Sequence, residues 1–378
     1  MVASLVGGAK PSAINDIEQR FYKQLISGQQ RGAVSNPLDA ELEAIAHKIA
    51  VEREAAIKRL EKKQQAQQLV AQLTEQLTKL LQAELGNRLS QPQLFLKDSA
   101  VSDKQLLLLE LLNSPRVDLN RIRPIVAEIG WLGRDITAIV NSPSFMARRQ
   151  QHSDTQVNDL KVALAYIGLD NLRAYIPYYV CRYWLSQSPS LLWVSRKVWR
   201  YSQLQGIAAR ALAELHQQDP TLFYTIALMK QLGMSVMLSV SADVFEQLRH
   251  TWMRQALVER DSALHDALSV CEFPLDLVWP MIAEQSLALT WKLPESLGFA
   301  DVKAVSILRE LTEAKGVVAL SDDAKIIAKS SCYAKCMLLD EGQQLSFNER
   351  QLMYRYYELS EQEAIRLSGQ NFRKTEAV

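Results

Sequence analysis

Apolar residues recur along most of the chain at spacings of three and four, which is the period of one helix face. The pattern runs from Ser102, which begins a capping box with Gln105, to about Leu367, with only short interruptions. No stretch alternates apolar and polar residues for long enough to indicate a β-strand. The sequence therefore predicts an all-α fold, a bundle of about a dozen short helices.

The N-terminal part of the chain has a different character. Residues 1–38 contain glycines and two prolines, and we expect a loosely ordered segment in which Ala13–Ile26 forms a short amphipathic helix. From Asp39 the chain runs without glycine or proline to Gly86, which predicts a long charged helix over residues 39–90.

The middle of this long helix, Glu61–Gln68, lacks a large apolar residue. A helix that is polar all round cannot be packed in a core at that point. We therefore expect an exposed stalk, or a weak coiled coil that makes the chain a homo-oligomer through residues 39–90.

The charge balance argues against several classes of partner. There are 43 Lys and Arg against 42 Asp and Glu, so the net charge of +1 gives no overall basic field, and we do not expect nucleic-acid binding.

The most apolar stretch, Leu222–Val240, is interrupted by Lys230, Gln231 and Gly233, so we do not expect a membrane span. The start of the chain lacks the features of a secretory signal, and the four cysteines form no CxxC pair. We expect a cytoplasmic protein with reduced thiols.

Familiar catalytic patterns are missing from the sequence. It contains no glycine-rich phosphate loop, no GxSxG elbow and no HxxxH pair. The one His-Asp dipeptide, His265-Asp266, lies on a predicted polar helix, where adjacent side chains point about 100° apart. Cys332 and Cys336 share a helix face, but no further ligand flanks them, so we interpret them as small buried residues.

Five segments resemble, in order and approximate spacing, the HDOD domain (HD-related output domain) of bacterial signalling proteins. They are Val117–Phe145, Leu160–Ile176, Trp199–Ser202, Leu228–Gly233 and Trp291–Glu295. The resemblance covers roughly residues 96–370 and leaves 371–378 as a tail. It implies a multi-helix HD-like bundle, related to phosphohydrolases that hold metal ions with His and Asp side chains.

Three positions of this chain depart from the metal-binding pattern. The resemblance places Lys230 and Gln231 where a metal-binding relative has His-Asp, and Tyr201 where it has an earlier His. An ammonium group offers a cation no lone pair, and Gln offers only a neutral carbonyl. We therefore treat these residues as remnant metal-site positions and expect no metal, no cofactor and no catalysis.

A basic cluster on one predicted helix is a candidate ligand or partner face. Arg196, Lys197 and Arg200 alternate with aromatic residues, although the same spacing also suits a helix with its apolar residues inward and its charges in water. The sequence thus favours a non-catalytic signal-transduction scaffold that binds a partner protein. The alternative is a metal-dependent phosphohydrolase or a cyclic-nucleotide-binding regulator that uses the remnant pocket.

Overall fold

The structure, a computed structural model, describes residues 10–26, 50–114, 116–147 and 156–372, with side chains omitted for 50–56. Within these ranges all the regular elements are helical, which confirms the all-α prediction. The helices are α1 (Ser12–Ile26), α2 (Ala50–Leu89), α3 (Gln93–Lys97), α4 (Asp103–Leu112), α5 (Leu119–Glu128), α6 (Gly130–Val140), α7 (Pro143–Met146), α8 (Leu160–Ile167), α9 (Leu169–Tyr183), α10 (Leu192–Leu215), α11 (Pro220–Met229), α12 (Leu232–Glu259), α13 (Ser262–Ser269), α14 (Leu275–Ser296), α15 (Lys303–Glu313), α16 (Asp322–Glu341), α17 (Phe347–Tyr356) and α18 (Glu361–Ser368).

The helix ends follow the capping residues of the sequence. Ser102 caps α4, Ser346 caps α17 and Ser360 caps α18, and each takes part in a complete capping box. Such a box satisfies two backbone N–H groups that would otherwise lack partners. Gly168 separates α8 from α9 with φ of 77°, a conformation that favours glycine.

The long helix predicted over residues 39–90 is present as α2 from Ala50 onward, and its predicted start at Asp39 lies outside the described residues. Its middle, Glu61–Gln68, is mostly exposed. The end of the helix departs from the stalk expectation: four leucines on one face are buried against α12, α13 and α14. They are Leu73, Leu77, Leu81 and Leu85. Their spacing of four residues makes a continuous apolar stripe, so this half of the helix belongs to the bundle.

The amphipathic helix predicted at Ala13–Ile26 is present as α1. Its apolar face is buried in the bundle, where it contacts α10, α14, α16 and α17, so a loosely ordered segment does not describe these residues. The ring of Phe21 lies 4.8 Å from that of Tyr201 on α10. The N-terminal region is therefore joined to the core through α1.

The centre of the bundle is formed by α10, α11, α12, α14 and α16. Within the part of the chain that the structure describes, one stretch, Pro220–Glu259, has the length and apolar character needed to cross a membrane, but 89% of its apolar window is buried inside the protein. This is the behaviour of core helices. Here α11 and α12 meet at Lys230 and Gln231, which brings these two residues into the interior.

Candidate ligand site around Lys230

The structure brings two of the three remnant positions together. Tyr201 on α10 is buried, and its hydroxyl lies 2.6 Å from Ser331 Oγ on α16. Lys230 Nζ donates to the same Ser331 Oγ at 3.0 Å. The third position, Gln231, is directed elsewhere, and its Nε2 donates to Gln205 Oε1 at 3.3 Å. Ser331 was not apparent from the sequence, because it lies about a hundred residues beyond Lys230 in the chain.

The residues present do not fit a metal ion. A cation would meet the Lys230 ammonium, which has donors and no acceptor, beside the hydroxyls of Tyr201 and Ser331. Among the described residues, no group of three or more His, Cys, Asp and Glu side chains is placed to hold a metal. No chemical step through a metal is therefore derived for this site.

A buried ion pair lies next to these residues. Lys335, one helical turn after Ser331 on α16, donates from Nζ to Glu18 Oε1 of α1 at 2.6 Å. The Tyr357 hydroxyl donates to the same oxygen at 2.6 Å, and Lys10 binds the other carboxylate oxygen. Lys335 and Glu18 are each only 5% exposed. The sequence offers one faint signal for this pair, a lysine within the apolar run of α16.

The pKa values of Glu18, Lys335 and Lys230 are shifted in different directions. Burial alone would raise the pKa of Glu18, but attraction to Lys335 and Lys10 and their hydrogen bonds outweigh it, so this pKa lies far below its usual range. Burial alone would lower the pKa of Lys335, but Glu18 and nearby tyrosines raise it well above normal. Burial lowers the pKa of Lys230 to about 7, with a further lowering from Lys335.

A cavity of about 480 Å³ opens onto these side chains. Its walls come from α1, α14, α15, the segment between α15 and α16, α16 and α17. The polar and charged groups that line it are Lys10, Glu18, Tyr22, Lys230, Lys315, Ser331, Lys335, Tyr356 and Tyr357. The cavity therefore combines several lysines with one carboxylate, a composition that can receive an anion.

The basic cluster on α10 is only partly a free face. Arg196 is exposed. Lys197, by contrast, donates to the backbone carbonyl of Gln24 at the end of α1, at 2.8 Å. Arg200 is paired with Glu341 of α16 at 2.7 Å. Two of these three side chains thus connect helices of the bundle.

Other candidates from the sequence lie apart from the cavity. His265 and Asp266 are on α13, with Asp266 83% exposed and His265 Nδ1 3.7 Å from its carboxylate oxygen. Cys332 and Cys336 are buried on α16 as free thiols, and burial raises the pKa of Cys332. Neither pair lines the cavity around Lys230.

Comparison with known proteins gives a match over part of the chain. Residues 100–273 match the model of the HDOD domain family. None of the curated proteins matches the chain.

Two solved structures are similar at low identity. One is a protein of Shewanella amazonensis named provisionally as a metal-dependent phosphohydrolase, with 13% identity, a TM-score of 0.44, and coverage of 79% of this chain and 95% of that one. The other is an HDOD domain protein of unknown function from Geobacter sulfurreducens, with 14% identity, a TM-score of 0.40, and coverage of 75% and 93%. These scores add no argument about activity.

The matched range contains Tyr201, Lys230 and Gln231, whereas Glu18, Ser331 and Lys335 lie outside it. The segments quoted from the sequence up to Leu228–Gly233 all fall inside it. Residues 100–273, a little under half of the chain, are therefore similar to the HDOD domain family.

Proposed function

We propose that this protein is a non-catalytic signal-transduction scaffold, in which the HDOD domain binds a partner protein and does not hydrolyse phosphoesters. The observation that carries the proposal is Lys230, which the resemblance places at a ligand position of a metal-binding relative and whose Nζ donates to Ser331 in the interior. A metal ion lowers the pKa of a bound water so that it can attack a phosphoester. The protonated form of Lys230 at that place repels the ion.

The surrounding hydrogen bonds support a structural use of the former metal positions. Tyr201 and Lys230 share Ser331, and Gln231 is bonded to Gln205. These contacts join α10, α11 and α16 in the interior. A domain that keeps its helical architecture while losing its metal ligands is suited to present surfaces to another protein, as the sequence also favours.

Elemental analysis together with a hydrolysis assay tests the first half of this proposal. We expect the purified full chain to contain no stoichiometric Mn, Fe or Zn, and to leave bis(p-nitrophenyl) phosphate intact after incubation with each metal. The variant Lys230→Met is the matched control, because it removes the ammonium without adding a ligand. A stoichiometric ion, or metal-dependent turnover that exceeds the variant's, would overturn the proposal in favour of the phosphohydrolase alternative.

Crosslinking with mass spectrometry in the native host tests the second half. We expect crosslinks from surface lysines of residues 100–273 to one recurring partner protein. The sedimentation velocity of the purified full chain, measured over a range of protein concentrations, separates such a partner from self-association through the exposed part of α2. If every crosslink connects two copies of this chain, the scaffold proposal is wrong and the protein is a homo-oligomer.

A further inference from the structure

The cavity around Lys230 has an unbalanced charge. Four lysines line it, Lys10, Lys230, Lys315 and Lys335, against the single carboxylate of Glu18. Glu18 is already shared by Lys10 and Lys335. At full protonation the lining therefore carries a net charge of three positive units, in a chain whose overall charge is +1.

Two of these lysines have no carboxylate partner. Within the described ranges, no Asp or Glu oxygen lies within ion-pair distance of Lys230 or Lys315. Lys230 is half-buried, and its polar contact is the hydroxyl of Ser331. Lys315 is exposed and lies beside Gly316 at the rim formed by the segment between α15 and α16. A charge that is partly buried, such as that of Lys230, is normally paired, and Lys315 adds a second positive charge at the rim, so an anion is the group that this cavity lacks.

The remaining walls are apolar and aromatic. They are formed by Leu287, Leu311, Val317, Leu320 and Tyr356. The cavity's volume of about 480 Å³ lies in the range of pockets that enclose most of a small organic molecule. An inorganic anion alone would leave these walls uncovered, whereas a molecule with an anionic end and a planar or apolar end covers both parts.

We propose that this cavity binds a small phosphate ester of mononucleotide size, with the phosphate between Lys230 and Lys315 and the organic part against Leu311 and Val317. A phosphate offers several acceptor oxygens, so it can accept from more than one lysine and from a hydroxyl at once. The inference goes beyond the proposed scaffold function, since it assigns a small-molecule ligand to the protein and requires no metal.

The cavity also joins the ligand to the N-terminal helix. Glu18 and Tyr22 of α1, with Lys10 just before this helix, form part of its wall, while Lys335 connects α1 to α16. A bound phosphate ester would contact both helices. Binding is therefore expected to stabilise the packing of α1 against the bundle.

Calorimetric titration of the full chain with a panel of 3′,5′-cyclic mononucleotides tests the proposal. Each is a phosphodiester that keeps one negative charge between pH 6 and pH 8. We expect saturable binding of at least one of them, and none of the corresponding nucleoside, which lacks the phosphate. Inorganic pyrophosphate, which lacks the organic part, should bind more weakly than the best cyclic nucleotide.

Two variants remove the unpaired charges. Lys230→Met and Lys315→Met are each expected to weaken binding about tenfold, the scale of a lost charge-assisted hydrogen bond. Lys161→Met is the matched control, because Lys161 is an exposed lysine of α8 that does not line the cavity, and its binding should equal that of the unaltered protein. Circular dichroism on each variant establishes that the helices are retained.

The pH dependence gives a readout specific to Lys230. The charged and titratable groups that face its amine from the packed elements are Lys10 just before α1, Glu18 and Tyr22 of α1, Tyr201 of α10, Lys315 of the rim, Lys335 of α16, Tyr356 of α17, and Tyr357 just after α17. The pKa of Glu18 is lowered, away from neutral pH. The pKa values of four other groups are raised, also away from neutral pH: those of Lys335, Tyr201, Tyr356 and Tyr357. Lys230, with a pKa of about 7, loses its proton between pH 6 and pH 8. Affinity should fall up to about tenfold from pH 6 to pH 8 in the unaltered protein and stay constant in Lys230→Met.

Three results would overturn the inference. They are the absence of binding across the whole panel at millimolar concentration, equal binding of nucleoside and cyclic nucleotide, and unchanged affinity in both lysine variants. None of these depends on metal content or hydrolysis. A failure here therefore leaves the scaffold proposal standing, and a metal-dependent hydrolase would be recognised by its own assay.

Discussion

Lys230 places an ammonium group inside the bundle with a serine hydroxyl as its hydrogen-bond partner. Burial lowers the pKa of this side chain to about 7, and Lys335 contributes in the same direction. In the unfolded chain the pKa returns to its ordinary value of 10.5. Between these two values the unfolded state binds more protons than the folded state, so stability rises as the pH increases from 7 towards 10.

Replacing Lys230 with Met is therefore expected to stabilise the protein. The gain should be largest below pH 7, where the buried side chain is charged, and on the order of 1–3 kcal/mol after allowance for its partial exposure. Urea unfolding at pH 6 and pH 9 measures it, with Lys161→Met as an exposed control. A variant that is destabilised at pH 6, or whose difference from the unaltered protein does not shrink towards pH 9, would contradict this account.

At the scale of elements, the contact between α12 and α14 depends on Gly233. A Cβ atom at this position would lie 2.0 Å from the carbonyl oxygen of Ser286 and 2.8 Å from the backbone nitrogen of Thr290. The Gly233 N–H also donates to Thr290 Oγ1 at 3.1 Å. The glycine that follows Lys230 and Gln231 in the sequence is thus a point where two helix backbones come close together.

Gly233→Ala is expected to destabilise the protein by about 3 kcal/mol or more, since the clash involves backbone atoms that cannot move without separating the helices. Gly86→Ala is the matched control: Gly86 also lies in a helix, but a Cβ there would meet nothing within 4 Å. That variant should be neutral or stabilised by about 0.5–1 kcal/mol, because alanine is the better helix former. Thermal unfolding of both variants compares them, and similar midpoints would show that α12 and α14 are not so closely packed.

At the scale of the whole molecule, α1 joins the first residues of the chain to its last helices. Glu18 contacts Lys335 of α16 and Tyr357 after α17, and Arg20 is paired with Glu349 of α17 at 2.7 Å. The lowered pKa of Glu18 means that its contribution to stability is complete above about pH 4.5 and is lost as the pH falls below that value. Acid should therefore weaken this long-range connection.

Glu18→Gln leaves Lys335 buried without its counter-charge, so we expect the free energy of unfolding to fall by about 3–5 kcal/mol. The double variant Glu18→Met with Lys335→Met removes both charges and should recover much of that loss. Hydrogen exchange followed by mass spectrometry locates the effect: amides of α1 should exchange faster in Glu18→Gln, while those of α10 change less. Equal acceleration in both helices would mean that α1 is not a separately released element.

The sequence by itself determined the helical architecture and its boundaries. Apolar periodicity and capping serines act between residues a few positions apart, so Ser102 could be identified as a helix start without any tertiary information. The expectation that Lys230 and Gln231 do not bind a metal likewise rests on residue type, and it could be formed from the resemblance of local segments.

Only the tertiary structure decided what surrounds Lys230. Its partner Ser331 lies 101 positions away, and the pair of Glu18 and Lys335 spans 317. No local pattern encodes such contacts, because they depend on how α1, α11 and α16 pack together. The same packing turned the end of the predicted stalk into a core helix and used two of the three basic residues on α10 for internal contacts. Periodicity fixes which face of a helix is apolar, whereas the choice of neighbour, and with it the charged cavity, arises from assembly of the whole chain.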